Sequence, residues 1–76
     1  KISRNIKKLS RRELEVFHFL AKGMINKEIA VKLGTVLQTI KVHRGRVMHK
    51  MQAKSITELI NFAKIAPPKI DKISAL

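Results

Sequence analysis

The residues best placed to do chemistry lie in a basic segment near the middle of the chain. Polar and basic side chains recur there every three or four residues, a spacing that puts them on one face of a helix. We name this face the outward stripe, and its members are Gln38, Lys41, Val42, Gly45, Arg46 and His49. Amide, ammonium and guanidinium groups donate hydrogen bonds to base edges and to phosphates. The stripe therefore predicts a contact with nucleic acid rather than a reaction centre.

Four members of the stripe are candidate base-reading residues. Lys41 can donate to guanine O6 or N7, and the alternative is a solvated surface lysine. Val42 can pack against a thymine methyl group, and the alternative is an isolated surface valine. Gly45 costs a helix interior about 0.5–1 kcal/mol relative to alanine, which suggests that the backbone approaches DNA closely there, with neutral drift as the alternative. Gln38 completes the set.

Two predicted helices position the outward stripe. The stripe lies on a helix over residues 37–51, whose inward side chains are Ile40, Val47, Met48 and Met51. A shorter helix precedes it over residues 27–33, with Asn26 as its cap and Gly34 at the turn that follows. Two helices joined by so short a turn form a helix-turn-helix, whose second helix fits the major groove of DNA.

Two more helices complete the predicted fold. Ser10 followed by Glu13 is a capping box that opens a helix ending before Gly23. Ser55 followed by Glu58 repeats this spacing and opens a last helix, which the prolines at 67 and 68 stop. No segment alternates like a strand, so the sequence predicts an all-α, four-helix domain over residues 9–66. Residues 1–8 are predicted to be a linker or arm, and residues 67–76 a flexible tail.

Composition limits the function further. The chain has 76 residues and a formal net charge of +12, from 17 Lys and Arg against 5 Asp and Glu, which favours a polyanionic partner. Its small size argues against a large catalytic cleft. There is no cysteine, and His18, His43 and His49 lack the spacing of a zinc site. The apolar runs fall short of the roughly 20 residues that cross a bilayer. We expect no enzymatic activity, cofactor, metal or membrane partner.

Several motifs then occur together in one order, namely LSRRELEV from Leu9, NKEIA from Asn26, IKVHR from Ile40 and SITEL from Ser55. In this combination the chain resembles the LuxR/FixJ-type DNA-binding domains of bacterial transcription factors, the C-terminal effector type, over about residues 9–65. The segment VHRGRVMHKM is most similar to FixJ-type response-regulator output domains. The resemblance implies that the third of four helices enters the major groove, the second crosses the DNA backbone and the fourth pairs two copies.

The resemblance also implies roles for individual residues. Base reading falls on Lys41, Val42 and Gly45. Phosphate contacts fall on Asn26, Lys27, Thr39, Arg46 and Lys54, to which we add the neighbouring cationic candidates His49 and Lys50. For dimerisation through the fourth helix, the candidate residues are Ile60 and Lys64.

The implied partners are double-stranded DNA, a second copy of the chain and RNA polymerase. The resemblance also implies an N-terminal receiver domain, absent here, whose phosphorylation relieves inhibition, as expected for a two-component response regulator. Because the sequence begins with Lys1, we expect it to be a piece of a longer protein. The expected location is the bacterial cytoplasm, at the nucleoid.

Two departures from the family pattern stand out. Val36 occupies the position where the family places a Ser or Thr cap, and valine cannot accept hydrogen bonds from the first amides of the helix. Gly45 stands where the family often has a long polar side chain. Off the stripe, Arg44 is predicted to form an internal salt bridge to Glu13, Glu15 or Glu28.

Other functions fit parts of the sequence. A sigma-factor-like promoter-binding domain has a similar helix-turn-helix, although the segment TIKVHRGR argues against it. An RNA-binding or ribosomal protein fits the charge, but the three phenylalanines that are the chain's only aromatic residues lie on apolar faces. A membrane-surface protein needs a broad exposed apolar face, which the four-helix fold uses internally.

Overall fold

Five helices make up the regular structure of residues 2–68, the part of the chain that this computed structural model describes. In chain order they are α1 (Ile2–Ile6), α2 (Arg11–Ala21), α3 (Asn26–Leu33), α4 (Leu37–Met51) and α5 (Ile56–Ile65). The all-α prediction is confirmed, and α4 has the bounds predicted for the stripe-bearing helix. Most of the predicted C-terminal tail lies outside the described residues.

Local capping bonds fix the ends of α2. The Ser10 hydroxyl accepts from the Glu13 N–H at 3.1 Å, and the Glu13 carboxylate accepts from the Ser10 N–H at 3.0 Å, so the predicted capping box is confirmed. At the other end Gly23 adopts the left-handed conformation, with φ +88°. The Met24 N–H then donates to the Phe19 carbonyl at 3.1 Å, which closes the helix.

The start of α5 shares half of this arrangement. The Ser55 hydroxyl accepts from the Glu58 N–H at 3.1 Å, as predicted. The Glu58 carboxylate, however, accepts from the N–H of Lys54 at 2.6 Å, one residue before the cap. The α5 helix is therefore anchored at its start by both partners of the predicted pair, with one of them displaced by a residue.

Residues 1–8 were predicted to be a linker or arm, and the structure forms the helix α1 within them. Ile2 and Ile6, one helical turn apart, pack with Leu9 against the hydrophobic core. Asn5 is also buried, and α1 contacts α4. The basic residues around Ile2 and Ile6 obscured their helical spacing of four residues in the sequence. The domain therefore has five helices where four were predicted.

The core holds α4 by one face only. Its inward residues Ile40 and Val47 are fully buried, and Met51 is almost so. Partners come from α2, α3 and α5, with Phe17, Ile29 and Leu59 all inaccessible to solvent. Because a helix this amphipathic buries one face, its opposite face stays at the surface. No helix within residues 2–68 has the length and apolar character needed to span a bilayer.

The predicted cap of α3 is wrong. Ile25 occupies the capping position in extended conformation, and its N–H donates to the Glu28 carboxylate at 3.0 Å. Asn26 is the first residue inside the helix. Its side chain accepts a hydrogen bond from another helix, and this tertiary contact prevails over its local preference for capping.

Val36 precedes α4 and supplies no side-chain cap, in agreement with the predicted departure. Its backbone is extended (φ −98°, ψ 157°) and its side chain is 64% exposed, so a serine there fits without rearrangement. We expect Val36→Ser to raise the free energy of unfolding by about 1 kcal/mol, because its hydroxyl can accept from an unpaired amide. Urea unfolding measures this gain. Val31→Ser, an exposed change inside α3, is the control and should give none; equal effects would contradict the capping explanation.

Candidate nucleic-acid interface

The outward stripe is solvent-exposed along the whole length of α4. All six of its members are exposed, among them Lys41 and Arg46 at its two edges. Val42 lies between them with 43% of its surface accessible, a large apolar side chain that the fold does not use. The structure thus brings together the base-reading candidates predicted from the sequence and leaves them open to a partner.

One flank of α4 is joined to α3. Arg44 Nη1 donates to Asn26 Oδ1 over 3.2 Å, across 18 residues of sequence. The predicted Arg44 salt bridge is therefore wrong, although Arg44 does point toward a neighbouring helix. Two of the carboxylates predicted as its partner are engaged by other residues. Glu13 pairs with Lys50, and Glu15 pairs with Arg11 and Arg12 of its own helix α2.

The other flank of α4 is joined to α2. Lys50 Nζ donates to Glu13 Oε1 over 2.7 Å, and this carboxylate oxygen is the one that also accepts from the Ser10 N–H in the capping box. The Glu13 side chain is 4% exposed and that of Lys50 34%. Lys50 was predicted to contact phosphate, and in the structure its ammonium group has an internal partner, Glu13.

Glu13 is charged despite its burial. Burial disfavours the charged form of its carboxyl group and by itself would raise the pKa of Glu13. Hydrogen bonds from Lys50 and the Ser10 backbone, together with the positive charges of Lys50 and Arg46, outweigh this and hold the pKa below its ordinary value. Because the pKa is lower in the folded chain, this contribution to stability is present above the unfolded pKa and is lost as the pH falls through the folded one. The link between α2 and α4 is thus intact at neutral pH.

These two links fix how α4 is rotated about its axis. At about 100° per residue, Arg44 and Lys50 each lie about 120° from the middle of the outward stripe, in opposite senses. The core residues occupy the sector between them. The stripe consequently faces away from the protein with a link on either flank, an arrangement that presents fixed donors to a partner.

The other predicted phosphate contacts have varied surroundings. Lys27 at the start of α3 and Lys54 after α4 are exposed, and Thr39 is partly buried. The Asn26 side-chain oxygen is engaged by Arg44, which leaves its amide nitrogen as the available donor. Sequence reasoning missed Glu13 as the partner of Lys50, since only the fold brings these two residues together.

The histidines take no part in a metal site within residues 2–68, where no group of three potential ligands occurs. His43 is partly buried, and its Nδ1 has no hydrogen-bond partner among the described residues. His18 contacts Phe19 edge to face, with ring centroids 5.3 Å apart. Burial, followed by the nearby charge of Lys22, lowers the pKa of His18, which favours its neutral form.

The predicted dimerisation residues border a shallow groove on the side of α5. Ile60 and Lys64 line it together with His18 of α2, around a volume of about 250 Å³. Ile60 is partly buried and Lys64 is exposed. The groove is therefore bordered by an apolar and a charged side chain of α5, and α4, which carries the outward stripe, does not contribute to it.

Gly45 has no packing role against the rest of the protein, because a Cβ built on it would meet nothing within 4 Å beyond its chain neighbours and the adjacent backbone of α4. We expect Gly45→Ala to raise the free energy of unfolding by about 0.5–1 kcal/mol and to weaken DNA binding, if the backbone approaches DNA there. Urea unfolding and duplex titration measure the two effects. Gly34→Ala, at φ +68°, is the control and should lower stability. Unchanged DNA affinity of Gly45→Ala would refute the close approach.

Comparison with known proteins assigns the chain to a family. The model of "Bacterial regulatory proteins, luxR family" matches residues 7–63. The chain is 47% identical over 62 residues, 80% of its length, to the tetrathionate response regulatory protein TtrR of Salmonella typhimurium. It is 46% identical over 55 residues, 72% of its length, to the oxygen regulatory protein NreC of Staphylococcus carnosus.

A third relative is the transcriptional regulatory protein FixJ of Azorhizobium caulinodans, 42% identical over 65 residues or 86% of the chain. The chain spans only 30%, 25% and 31% of the lengths of TtrR, NreC and FixJ. No solved structure matches it significantly. The resemblance seen in its motifs is confirmed: the chain belongs to the luxR family of bacterial regulatory proteins.

Proposed function

We propose that this chain is the DNA-binding output domain of a transcriptional regulator and that it places α4 in the major groove of a specific duplex. The observation that carries the proposal is the outward stripe, exposed along α4 while links to α2 and α3 fix its rotation. A helix held rigidly on a scaffold can direct donors at base edges, and the major groove has the width to admit it.

Within this proposal four members of the outward stripe read bases, and its other two members, with polar and basic groups around the stripe, hold the DNA backbone. Lys41, Val42, Gly45 and Gln38 face the base edges. Phosphate contacts come from the exposed or partly exposed groups around them, namely Asn26 through its amide nitrogen, Lys27, Thr39, Arg46, His49 and Lys54. The net charge of +12 suits such a contact with a polyanion. Lys50 is left out of this set because Glu13 engages it.

Selection from a random duplex library tests the function. The 76-residue chain is used to enrich binding sequences, and the selected duplex is titrated beside a scrambled duplex of equal length. We expect at least about 1,000-fold tighter binding of the selected sequence, the lower end for specific recognition at physiological salt. Equal affinity for both duplexes would reject sequence-specific recognition, and binding to neither would reject the DNA-binding function.

We also infer that two copies pair through α5 on DNA, on the support of the apolar and charged groove edge formed by Ile60 and Lys64. Ile60→Glu should then abolish cooperative binding to a duplex with two half-sites and leave binding to a single half-site unchanged. Gel-shift titration distinguishes the two species. Ile65→Glu is the matched control, because Ile65 is 71% exposed on the same helix but does not line this groove. Unaltered cooperativity in Ile60→Glu would count against pairing through this surface.

The longer protein is proposed to be a two-component response regulator. The support is that TtrR is named a response regulatory protein and that the chain spans 30% of it. An N-terminal receiver domain would then control the output domain, RNA polymerase would be its protein partner, and it would act on the nucleoid in the cytoplasm. Phosphorylation of the longer protein, followed by transcription from a promoter that carries the selected duplex, tests this assignment.

A further inference from the structure

We propose that Glu13 is a specificity-determining residue, which holds the Lys50 ammonium group against α2 and thereby keeps it from binding DNA phosphates of any sequence. The inference rests on the proposed DNA-binding function. It concerns a residue outside the helix-turn-helix and gives an acidic side chain a role in recognition.

The geometry around Glu13 carries the argument. A single oxygen, Oε1, accepts from Lys50 Nζ at 2.7 Å and from the Ser10 N–H at 3.0 Å. The capping box therefore holds the carboxylate on α2 through a contact that does not involve Lys50. Since a hydrogen bond between two charged groups is about twice as strong as a neutral one, the ammonium group is held firmly at the flank of α4.

The position of Lys50 on α4 explains why this matters. Arg46 is one turn earlier, at the edge of the outward stripe, and its side chain is exposed. Lys50 lies about 40° further round the helix, on the side of α2. A lysine released at this edge has the reach of four methylene groups and a strongly hydrated point charge, which suits phosphate. It also lies off the outward stripe that faces the base edges.

A freed Lys50 raises the affinity for DNA without adding sequence specificity. Phosphate contacts occur on every duplex, so each one strengthens random and selected sequences together. Release of Lys50 also removes one of the two links that fix the rotation of α4. Both effects lower the ratio of specific to random binding, and the ion pair with Glu13 prevents them.

The variant Glu13→Gln distinguishes the two roles of Glu13, because it removes the negative charge that pairs with Lys50 and keeps an oxygen for the capping bond. Glutamine can still accept from the Ser10 N–H, as in other capping boxes, but its neutral oxygen binds Lys50 more weakly. We expect affinity for a scrambled duplex to rise about 5- to 10-fold at 0.1 M salt, and the slope of log K against log salt to steepen by about 0.9, the value for one added phosphate contact. The ratio of selected to scrambled affinity should fall.

The matched control is Glu58→Gln. Glu58 also follows a capping serine by three residues and accepts a backbone N–H, here that of Lys54, so the substitution makes the same change in charge and a similar change at a helix start. The ion pairs found within residues 2–68 do not include Glu58. We expect a slope within experimental error of the native one. An equal steepening in both variants would show a general charge effect and overturn the proposal.

The double variant Glu13→Gln/Lys50→Met identifies the lysine. It keeps the native net charge and avoids a buried, unpaired carboxylate. We expect its salt slope on the scrambled duplex to return to the native value, since the native Lys50 makes no phosphate contact. A slope shallower than native by about 0.9 would mean that Lys50 contacts phosphate in the native protein, which overturns the proposal. Thermal unfolding followed by circular dichroism confirms that each variant is folded.

Failure of the inference and failure of the proposed function give different results. If the native chain does not bind duplex DNA, the proposed function fails before any variant is compared. If the native chain prefers its selected duplex and Glu13→Gln behaves like Glu58→Gln, the proposed function stands and the role of Glu13 is rejected.

Discussion

Raising monovalent salt from 50 to 200 mM is expected to weaken binding of the selected duplex by about 100,000-fold. On the order of five phosphate contacts in each of two protomers give about ten, and each contributes about −0.9 to the slope of log K against log salt. The chain itself carries the charge that drives this effect, with 17 basic residues against 5 acidic ones. Fluorescence-anisotropy titration of a labelled duplex at four salt concentrations measures the slope.

Two comparisons make this salt dependence informative. A scrambled duplex should also lose affinity steeply, because its binding is almost wholly electrostatic. Circular dichroism at each salt concentration should be constant, which excludes unfolding as the cause. A slope near zero would contradict phosphate neutralisation and, with it, the assignment of Lys27, Arg46 and Lys54 to the DNA backbone.

Local signals in the sequence predicted the helices well. The Ser10 and Glu13 pair makes the capping bonds expected of it, and Gly23 ends α2 in the left-handed conformation. These interactions join residues no more than five apart, so their geometry follows from the helix itself. The missed helix α1 has a weaker signal of another kind, since Ile2 and Ile6 are the two apolar residues in it that pack against the core.

Contacts between helices were less predictable. Lys50 and Glu13 are 37 residues apart, and Arg44 and Asn26 are 18 apart. Their pairing depends on how α4 packs against α2 and α3, which no local pattern encodes. With many cations and few carboxylates, the partner of a given arginine is ambiguous from sequence. Arg44 was assigned a carboxylate and binds an amide, and the carboxylate partner of Lys50 was not predicted.

The stripe itself was predictable because amphipathic periodicity is a property of the helix. What periodicity leaves undetermined is which exposed side chains carry base information and which only contact phosphate, because both kinds are exposed and cationic. Lys41 and Arg46 illustrate this, as both are exposed on α4 at opposite edges of the outward stripe. Their roles can be separated only by comparing their effects on selected and random duplexes.

Lys41→Ala is expected to lower affinity for the selected duplex by about 10- to 100-fold, as loss of a base contact worth about 1–3 kcal/mol implies. Arg46→Ala removes the same unit of charge from the same helix and is the matched control. It should weaken selected and scrambled duplexes by similar factors, because a phosphate contact carries no sequence information. The measured quantity is the ratio of the two affinities for each variant. That ratio should fall in Lys41→Ala and stay at the native value in Arg46→Ala, whereas an equal change in both variants would show that Lys41 contacts only the backbone.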